Sequence, residues 1–209
     1  MNFKSINSSI FIIIILHFVG IVGSLSPDTS ALTISLTPVN LLISALLLAR
    51  HTEPYRSAAI FFGIAFSIGM AVEIVGVHTG IPFGQYSYSS VLGPKLLGVP
   101  LVIGINWFML AALTGTIASH ISQTLFYKII LGATMMLFLD FFIEIVAIKL
   151  EYWTWVGDGI PIENYFAWWF ISAFMQYVFI KTIKNSPSKP AIALIISQLA
   201  YFTAVILFY

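Results

Sequence analysis

The chain contains seven apolar runs of about 20 residues, separated by short segments that carry most of its charges. These runs cover residues 9–25, 31–49, 58–77, 99–118, 127–148, 164–182 and 190–208. A helix that crosses a bilayer needs roughly 20 apolar residues, and seven such helices leave no room in 209 residues for a soluble domain. The runs therefore predict an all-α integral membrane protein with about seven transmembrane helices, folded as a single multi-span domain over 1–209.

The positions of the basic residues predict how these helices are oriented. Seven of the nine fall on one side, namely Lys4, Arg50, Arg56, Lys128, Lys181, Lys184 and Lys189, whereas Lys95 and Lys149 fall on the other. Because cytoplasmic loops carry an excess of Lys and Arg, we expect a cytoplasmic N-terminus and an external C-terminus in a multi-pass protein of the cell (inner) membrane. Residues 1–25 have an alternative interpretation as a cleaved signal peptide, since Val22 and Ser24 have a suitable spacing for cleavage.

Charge and cysteine content exclude several classes of function. Nine basic against eight acidic residues give a net charge of +1, too small a basic surface for nucleic acid binding. The absence of cysteine removes disulfides and thiolate chemistry. The four histidines form no i,i+4 pair, and no glycine-rich phosphate loop follows a strand-like segment. We therefore expect neither a metal nor a bound nucleotide.

The two long connections on the predicted outer side, 78–98 and 149–163, are rich in aromatic residues. They include Tyr86, Tyr88, Tyr152, Trp153 and Trp155. Trp and Tyr are common at membrane interfaces, so an aromatic belt is one interpretation. The first connection also carries turn-forming residues that a belt does not require, namely Gly80, Pro82, Gly84, Gly93, Pro94 and Gly98. We expect this connection to fold back over the helix ends.

A short motif occurs twice along the chain. Glu73-Ile-Val-Gly-Val-His78 resembles Glu144-Ile-Val-Ala-Ile-Lys149, and Gly-Ile-Pro follows each copy, at 80–82 and 159–161. The pattern suggests a parallel repeat of residues 58–118 and 127–182. Such a repeat would place Glu73 and Glu144 at equivalent depth.

Three carboxylates fall inside predicted spans: Glu73 in the third, and Asp140 and Glu144 in the fifth. Intramembrane acids are costly and usually functional, although an interhelical hydrogen bond would also account for them. Asp140 and Glu144 are four residues apart and so share one helix face. Since two close acids in a low dielectric do not both ionise cheaply, we expect one of them to be neutral and able to protonate an alkene.

Two blocks of sequence resemble a known family. The first block runs from Glu73 to Pro100 and includes Gly80-Ile81-Pro82-Phe83-Gly84-Gln85-Tyr86-Ser87-Tyr88 and Leu92-Gly93-Pro94-Lys95. The second comprises Trp107, Asp140, Tyr152-Trp153-Thr154-Trp155, Gly159-Ile160-Pro161 and Asn164 through Trp168. Together they resemble the carotenoid biosynthesis proteins, a family that includes carotenoid 1,2-hydratases.

This resemblance implies a hydro-lyase without a cofactor, which adds water to the terminal double bond of an acyclic carotenoid ψ end group. Among the acids, Asp140 lies deepest and is our choice for the proton donor, with Glu73 and Glu144 as base or water ligand, although the choice of acid stays open. We expect the substrate to contact Tyr86, Tyr88, Trp107, Trp153, Trp155 and Trp168. We expect the lid to be supported by His78, Lys95, Asp158 and Asn164. The expected partners are a membrane-dissolved carotenoid, water, the lipid bilayer and other carotenoid enzymes.

Other functions would use the same three acids. A carotenoid end-group cyclase starts with the same protonation, but a neighbouring alkene instead of water traps the cation. A small proton-coupled transporter would use the acids as a relay, although no ionisable residue continues that path inward through spans three to five. A scaffold without chemistry would account for the apolar runs but not for the acids.

Overall fold

The computed structural model describes residues 5–157, 159–184 and 186–209. These residues form helices α1 (Ile6–Leu25), α2 (Ser30–Ser35), α3 (Thr37–Ala49), α4 (Tyr55–Thr79), α5 (Leu101–Ile121), α6 (Leu125–Lys149), α7 (Ile162–Thr182) and α8 (Ser188–Phe208). They also form short strands β1 (Tyr86–Tyr88), β2 (Lys95–Leu96), β3 (Val99–Pro100) and β4 (Trp153–Trp155). Each apolar run is therefore helical, whereas the four strands were not predicted.

Prolines mark several helix boundaries. Four helices begin directly after a proline, namely Pro54, Pro100, Pro161 and Pro187. Proline suits the start of a helix for two reasons. It has no N–H that the first turn would leave unpaired, and its fixed φ is suited to helix entry. Pro38 lies in the first turn of α3 and cannot donate to the carbonyl of Ile34. The second apolar run is consequently divided into α2 and α3.

Five helices in the described ranges are long and apolar enough to cross a membrane, namely α1, α4, α5, α6 and α8. This content is typical of a membrane protein. The division of the second run leaves α3 with 13 residues. α7 has 21 residues but is less apolar, because Glu163, Asn164 and Gln176 lie within it. The count of seven spans and the orientation stay predictions.

Helix α5 lies at the centre of the bundle. It packs against α3, α4, α6, α7 and α8, and most of its side chains are buried. Small residues allow this close packing: a Cβ on Gly104 would lie 2.6 Å from the Phe66 ring, and one on Gly115 would lie 2.4 Å from the Phe179 ring. The core is therefore built around α5.

The two aromatic connections are joined to each other by an antiparallel ribbon of β1 and β4. Tyr86 pairs with Trp155, Ser87 with Thr154, and Tyr88 with Trp153. Side chains alternate between the two faces of a strand, so the four aromatic rings share one face of the ribbon. Ser87 and Thr154 occupy the other face and are exposed. The ribbon brings together the chain segments that follow α4 and α6.

A second hairpin leads the first connection into α5. Lys95 pairs with Pro100 and Leu96 with Val99. The turn residues Leu97 and Gly98 have φ values of 47° and 86°, a left-handed conformation that two-residue hairpin turns require. Glycine adopts this conformation without a steric penalty.

Candidate active site

Glu73 lies near the C-terminal end of α4 and is 4% exposed. Its Oε2 accepts hydrogen bonds from the hydroxyls of Tyr86, at 2.5 Å, and Tyr88, at 2.8 Å. Its Oε1 accepts from the indole N–H of Trp107, at 3.0 Å. An ionised carboxylate can only accept hydrogen bonds. The three neutral donors that converge on Glu73 therefore suit its ionised form.

Glu144 lies near the C-terminal end of α6 and is 2% exposed. Its Oε2 accepts from the indole N–H groups of Trp153, at 3.0 Å, and Trp155, at 2.9 Å. Its Oε1 accepts from the side-chain amide of Asn164, at 3.3 Å. Indole nitrogens cannot accept hydrogen bonds, so this environment also suits a carboxylate.

The two glutamates are held in corresponding ways. Each receives two donors from alternate residues of the strand that follows its helix, and a third donor from the next helix. The ring of Trp107 in α5 stacks on that of Trp168 in α7, with centroids 4.0 Å apart and planes at 11°. The two Gly-Ile-Pro segments, however, do not correspond, because 80–82 precede β1 whereas 159–161 follow β4.

Asp140 lies one helical turn before Glu144 on the same face of α6 and is fully buried. Neither of its carboxyl oxygens has a hydrogen-bond partner within the described ranges. An uncompensated charge in such a place would be very costly, so the site suits a neutral carboxylic acid. The structure thus brings the three predicted acids together but gives Asp140 surroundings unlike those of the glutamates.

A small cavity of about 20 Å³ lies between Glu73 and Glu144. The rest of its wall is formed by Phe83, Tyr86, Tyr88, Trp153, Trp155, Asn164 and Trp168. A buried water molecule needs at least about 10–15 Å³ and two to four polar partners. The cavity therefore has the size and the polar groups for one water molecule, inside an otherwise largely aromatic wall.

The two tyrosines that hold Glu73 act as fixed donors. Burial raises the pKa of Tyr86 and of Tyr88 above the ordinary tyrosine value, and the neighbouring charge of Glu73 raises it further. Both hydroxyls consequently keep their protons at any physiological pH.

The residues predicted to support the lid have different positions. Lys95 is exposed, and its ammonium donates to the backbone carbonyl of Tyr88, at 2.5 Å, which anchors β1. Asn164 holds Glu144 directly, as described above. His78 is exposed and bonded through Nδ1 to the carbonyl of Ile74, at 2.8 Å, so it takes no part in the cavity. Asp158 lies outside the described residues.

Two features of the site were missed by the sequence reasoning. Phe83 was not selected, although it is buried and lines the cavity. The aromatic residues were selected as substrate contacts, yet the polar edges of five of them hold the glutamates. The alternation Tyr-Ser-Tyr and Trp-Thr-Trp was the available signal, since a period of two is typical of strands.

Within the described ranges no group of three His, Asp or Glu side chains is arranged to hold a metal.

Comparison with known proteins identifies the family to which this chain belongs. The family model described as "Carotenoid biosynthesis protein" matches residues 31–209. A bisanhydrobacterioruberin hydratase from Haloarcula japonica is 32% identical over 109 residues, which cover 46% of this chain and 36% of the relative. That match thus spans only about a third of the relative's length. No solved structure matches the chain. Because the family match covers most of the sequence and every residue of both glutamate sites, the chain belongs to the carotenoid biosynthesis protein family.

Proposed function

We propose that this protein is a carotenoid hydratase, a lyase of the cell (inner) membrane that adds water to the terminal double bond of an acyclic carotenoid ψ end group. The observation that carries the proposal is a water-sized cavity between two buried glutamates, each held by three hydrogen-bond donors. Membership of the family supports a role in carotenoid biosynthesis. The similarity to a hydratase supports water addition as the chemistry.

The first step is transfer of a proton to the less substituted carbon of the alkene. The π electrons form the new C–H bond and leave a tertiary carbocation on the neighbouring carbon. Asp140 suits a neutral acid but does not line the cavity, whereas Glu144, one turn away, does. We therefore assign the neutral Asp140 as the source of the proton, and the carboxylate of Glu144 as the group that accepts this proton and passes it to the alkene. The faces of the surrounding aromatic rings stabilise the cation.

The second step is attack by water on the cation. A water molecule bound by Glu73 forms the C–O bond of a tertiary alcohol, and Glu73 takes the proton that this water loses. Transfer of that proton from Glu73 through Glu144 to Asp140 restores the enzyme. No electrons are gained or lost overall, so the reaction needs no redox cofactor.

The pigments made in living cells test this function. The protein is expressed in cells that accumulate lycopene, and the pigments are analysed by mass. Hydration adds the mass of one water for each modified end, and growth in heavy-oxygen water places one solvent oxygen in each new alcohol. A changed spectrum without a gain in mass would indicate the cyclase instead. Proton movement by protein in vesicles, with all pigments unaltered, would indicate the transporter.

Conservative variants test the assigned roles. Three variants each replace a carboxyl group by an amide of nearly the same size, and so remove a transferable proton or its acceptor. They are Glu73→Gln, Glu144→Gln and Asp140→Asn. General acid–base catalysis contributes about 10²–10⁴-fold, so each variant is expected to lose activity by that factor. Glu163→Gln is the matched control, because Glu163 is exposed in the first turn of α7. Near-normal activity of Asp140→Asn would reassign Asp140 to a structural role, and near-normal activity of Glu73→Gln would refute the water-activation step.

A further inference from the structure

An apolar groove lies between α3 and α4. Both helices pack against α5 but not closely against each other, and the space left between them has a volume of about 420 Å³. Its lining includes Leu42 and Leu46 of α3, Phe62 of α4, and Ile105 and Phe108 of α5. None of the residues that line this groove lines the small cavity of the candidate active site. The groove is therefore a separate feature of the bundle.

The size and position of the groove suit a lipid chain. Its volume falls within the roughly 300–1,000 Å³ that is typical of ligand sites. The stretch of α3 from Leu42 to Arg50 covers about 12 Å at a rise of 1.5 Å per residue, and one leaflet contributes about 15 Å to the hydrocarbon core of a bilayer. Leu42, Leu46 and Phe62 are exposed, so the groove is open to the surrounding hydrocarbon. One chain within a single leaflet fits this space.

One end of the groove is positively charged. Arg50, which directly follows α3, and Tyr55, the first residue of α4, line the groove at that end. Arg50 forms no ion pair with any residue that the structure describes. Tyr55 also lines an adjoining open depression, together with Glu53 and Lys184. Two cationic side chains against one carboxylate leave an excess of positive charge beside an otherwise apolar groove.

This combination restricts the chemistry of the ligand. A pure hydrocarbon would leave the guanidinium of Arg50 unpaired, and a free inorganic anion would leave the apolar walls unfilled. A phospholipid supplies both a hydrocarbon chain and a phosphate, which guanidinium groups bind through two parallel N–H donors. The excess positive charge favours a headgroup with a net negative charge over a zwitterionic one.

We propose that the groove between α3 and α4 binds one anionic phospholipid, with a hydrocarbon chain between the two helices and its phosphate held by Arg50 and Tyr55. Arg50 and Lys184 belong to the basic residues that predict the cytoplasmic side, so the lipid comes from the inner leaflet. Filling the space between the helices stabilises the folded protein, because a ligand that binds only the folded state raises its stability.

Lipid binding by the purified full-length protein tests this inference. The protein in detergent is titrated with phosphatidylglycerol or with phosphatidylcholine of the same chains, and native mass spectrometry measures the bound lipids. A hydrogen bond to a charged group corresponds to at least about a tenfold difference in affinity. Phosphatidylglycerol is therefore expected to bind about tenfold more tightly at one site and to raise the Tm more than phosphatidylcholine does.

Charge variants identify the group that recognises the phosphate. Arg50→Gln is expected to abolish the preference for phosphatidylglycerol. Lys189→Gln is the matched control, because Lys189 is an exposed cation that does not line the groove, and it is expected to keep the preference. Equal affinities for the two lipids in the wild type, or a preference that survives in Arg50→Gln, would refute the recognition of an anionic headgroup.

Filling the groove provides an independent test of its location. Ala59 is exposed and lines the groove, so Ala59→Phe fills the space from the side of α4 and is expected to weaken both lipids at least tenfold. Ala71→Phe is the matched control, since Ala71 is an exposed residue of α4 that does not line the groove. Unchanged lipid binding in Ala59→Phe would overturn the assignment of this site.

A hydrocarbon pigment is the alternative occupant of the groove. Lycopene is added to the protein loaded with phosphatidylglycerol, and it is expected not to displace the lipid. Displacement of the lipid by lycopene, with equal lycopene binding to the wild type and to Arg50→Gln, would refute the lipid site and assign the groove to the pigment.

Discussion

Replacing glycine by alanine at two positions of α4, Gly76 and Gly63, is expected to have opposite effects on the stability of the protein. A Cβ on Gly76 would lie 2.7 Å from the hydroxyl of Tyr86 and 2.8 Å from the Phe83 ring. Both side chains are buried, at 7% and 1% exposure, so neither is free to move away. Gly76→Ala must therefore displace the Tyr86 hydroxyl from Glu73.

The magnitude follows from three contributions. Replacing glycine by alanine inside a helix gains about 1 kcal/mol. Overpacking a dense core costs about 1–3 kcal/mol, and losing a hydrogen bond to a charged group costs about 1.5–3 kcal/mol. We expect Gly76→Ala to lower the free energy of unfolding by about 1.5–5 kcal/mol. Gly63→Ala, with open space around it, is expected to leave stability unchanged or raise it by up to about 1 kcal/mol.

Thermal unfolding in detergent, followed by circular dichroism, measures both effects. Combining Gly76→Ala with Tyr86→Phe removes the clashing hydroxyl, so Gly76→Ala is expected to cost less in the Tyr86→Phe background than in the wild type. Equal changes in Tm for the two glycine variants would refute the packing argument. An unchanged cost of Gly76→Ala in the Tyr86→Phe background would show that the Tyr86 hydroxyl is not the obstacle.

Two further predictions concern the indole donor to Glu73 and the orientation of the chain. Trp107→Phe keeps an aromatic ring against Trp168 but removes the N–H donor to Glu73, so hydration in cells is expected to fall while the protein still folds; full activity would show that this donor is dispensable. The chain has no native cysteine, and single thiols at the exposed positions Ser90 and Lys184 are expected to label from outside the cell and from the cytoplasm, respectively. Labelling of Lys184→Cys by an impermeant reagent in intact cells would show that the chain has the opposite orientation.

Local patterns along the chain were sufficient to predict the helices. An apolar run of about 20 residues carries its own signal, because a helix satisfies its backbone hydrogen bonds within one segment. The three acids also stood out locally, since charges are rare in such runs. The division at Pro38 was missed although its cause is local, because the apolar composition continues across it.

Long-range pairing decided the arrangement of the candidate site. The ribbon joins Ser87 to Thr154, which are 67 residues apart, and no local pattern selects that partner or its register. Once the strands pair in this register, the tyrosines and indoles of one face meet the two glutamates. In the tertiary structure Asp140 accepts none of the hydrogen bonds that hold Glu144, although the two residues share one helix face.

The sequence by itself therefore determined the class of protein, the three acids and the family resemblance, all of which depend on residues close together in the chain. The parallel repeat of 58–118 and 127–182 stays a prediction. Only the tertiary structure decided which donor holds which carboxylate, that His78 lies outside the small cavity, and that a second cavity of about 260 Å³ adjoins Trp153. Hydrogen bonds act over about 3 Å, so these contacts depend on how distant helices pack, which a single sequence does not specify locally.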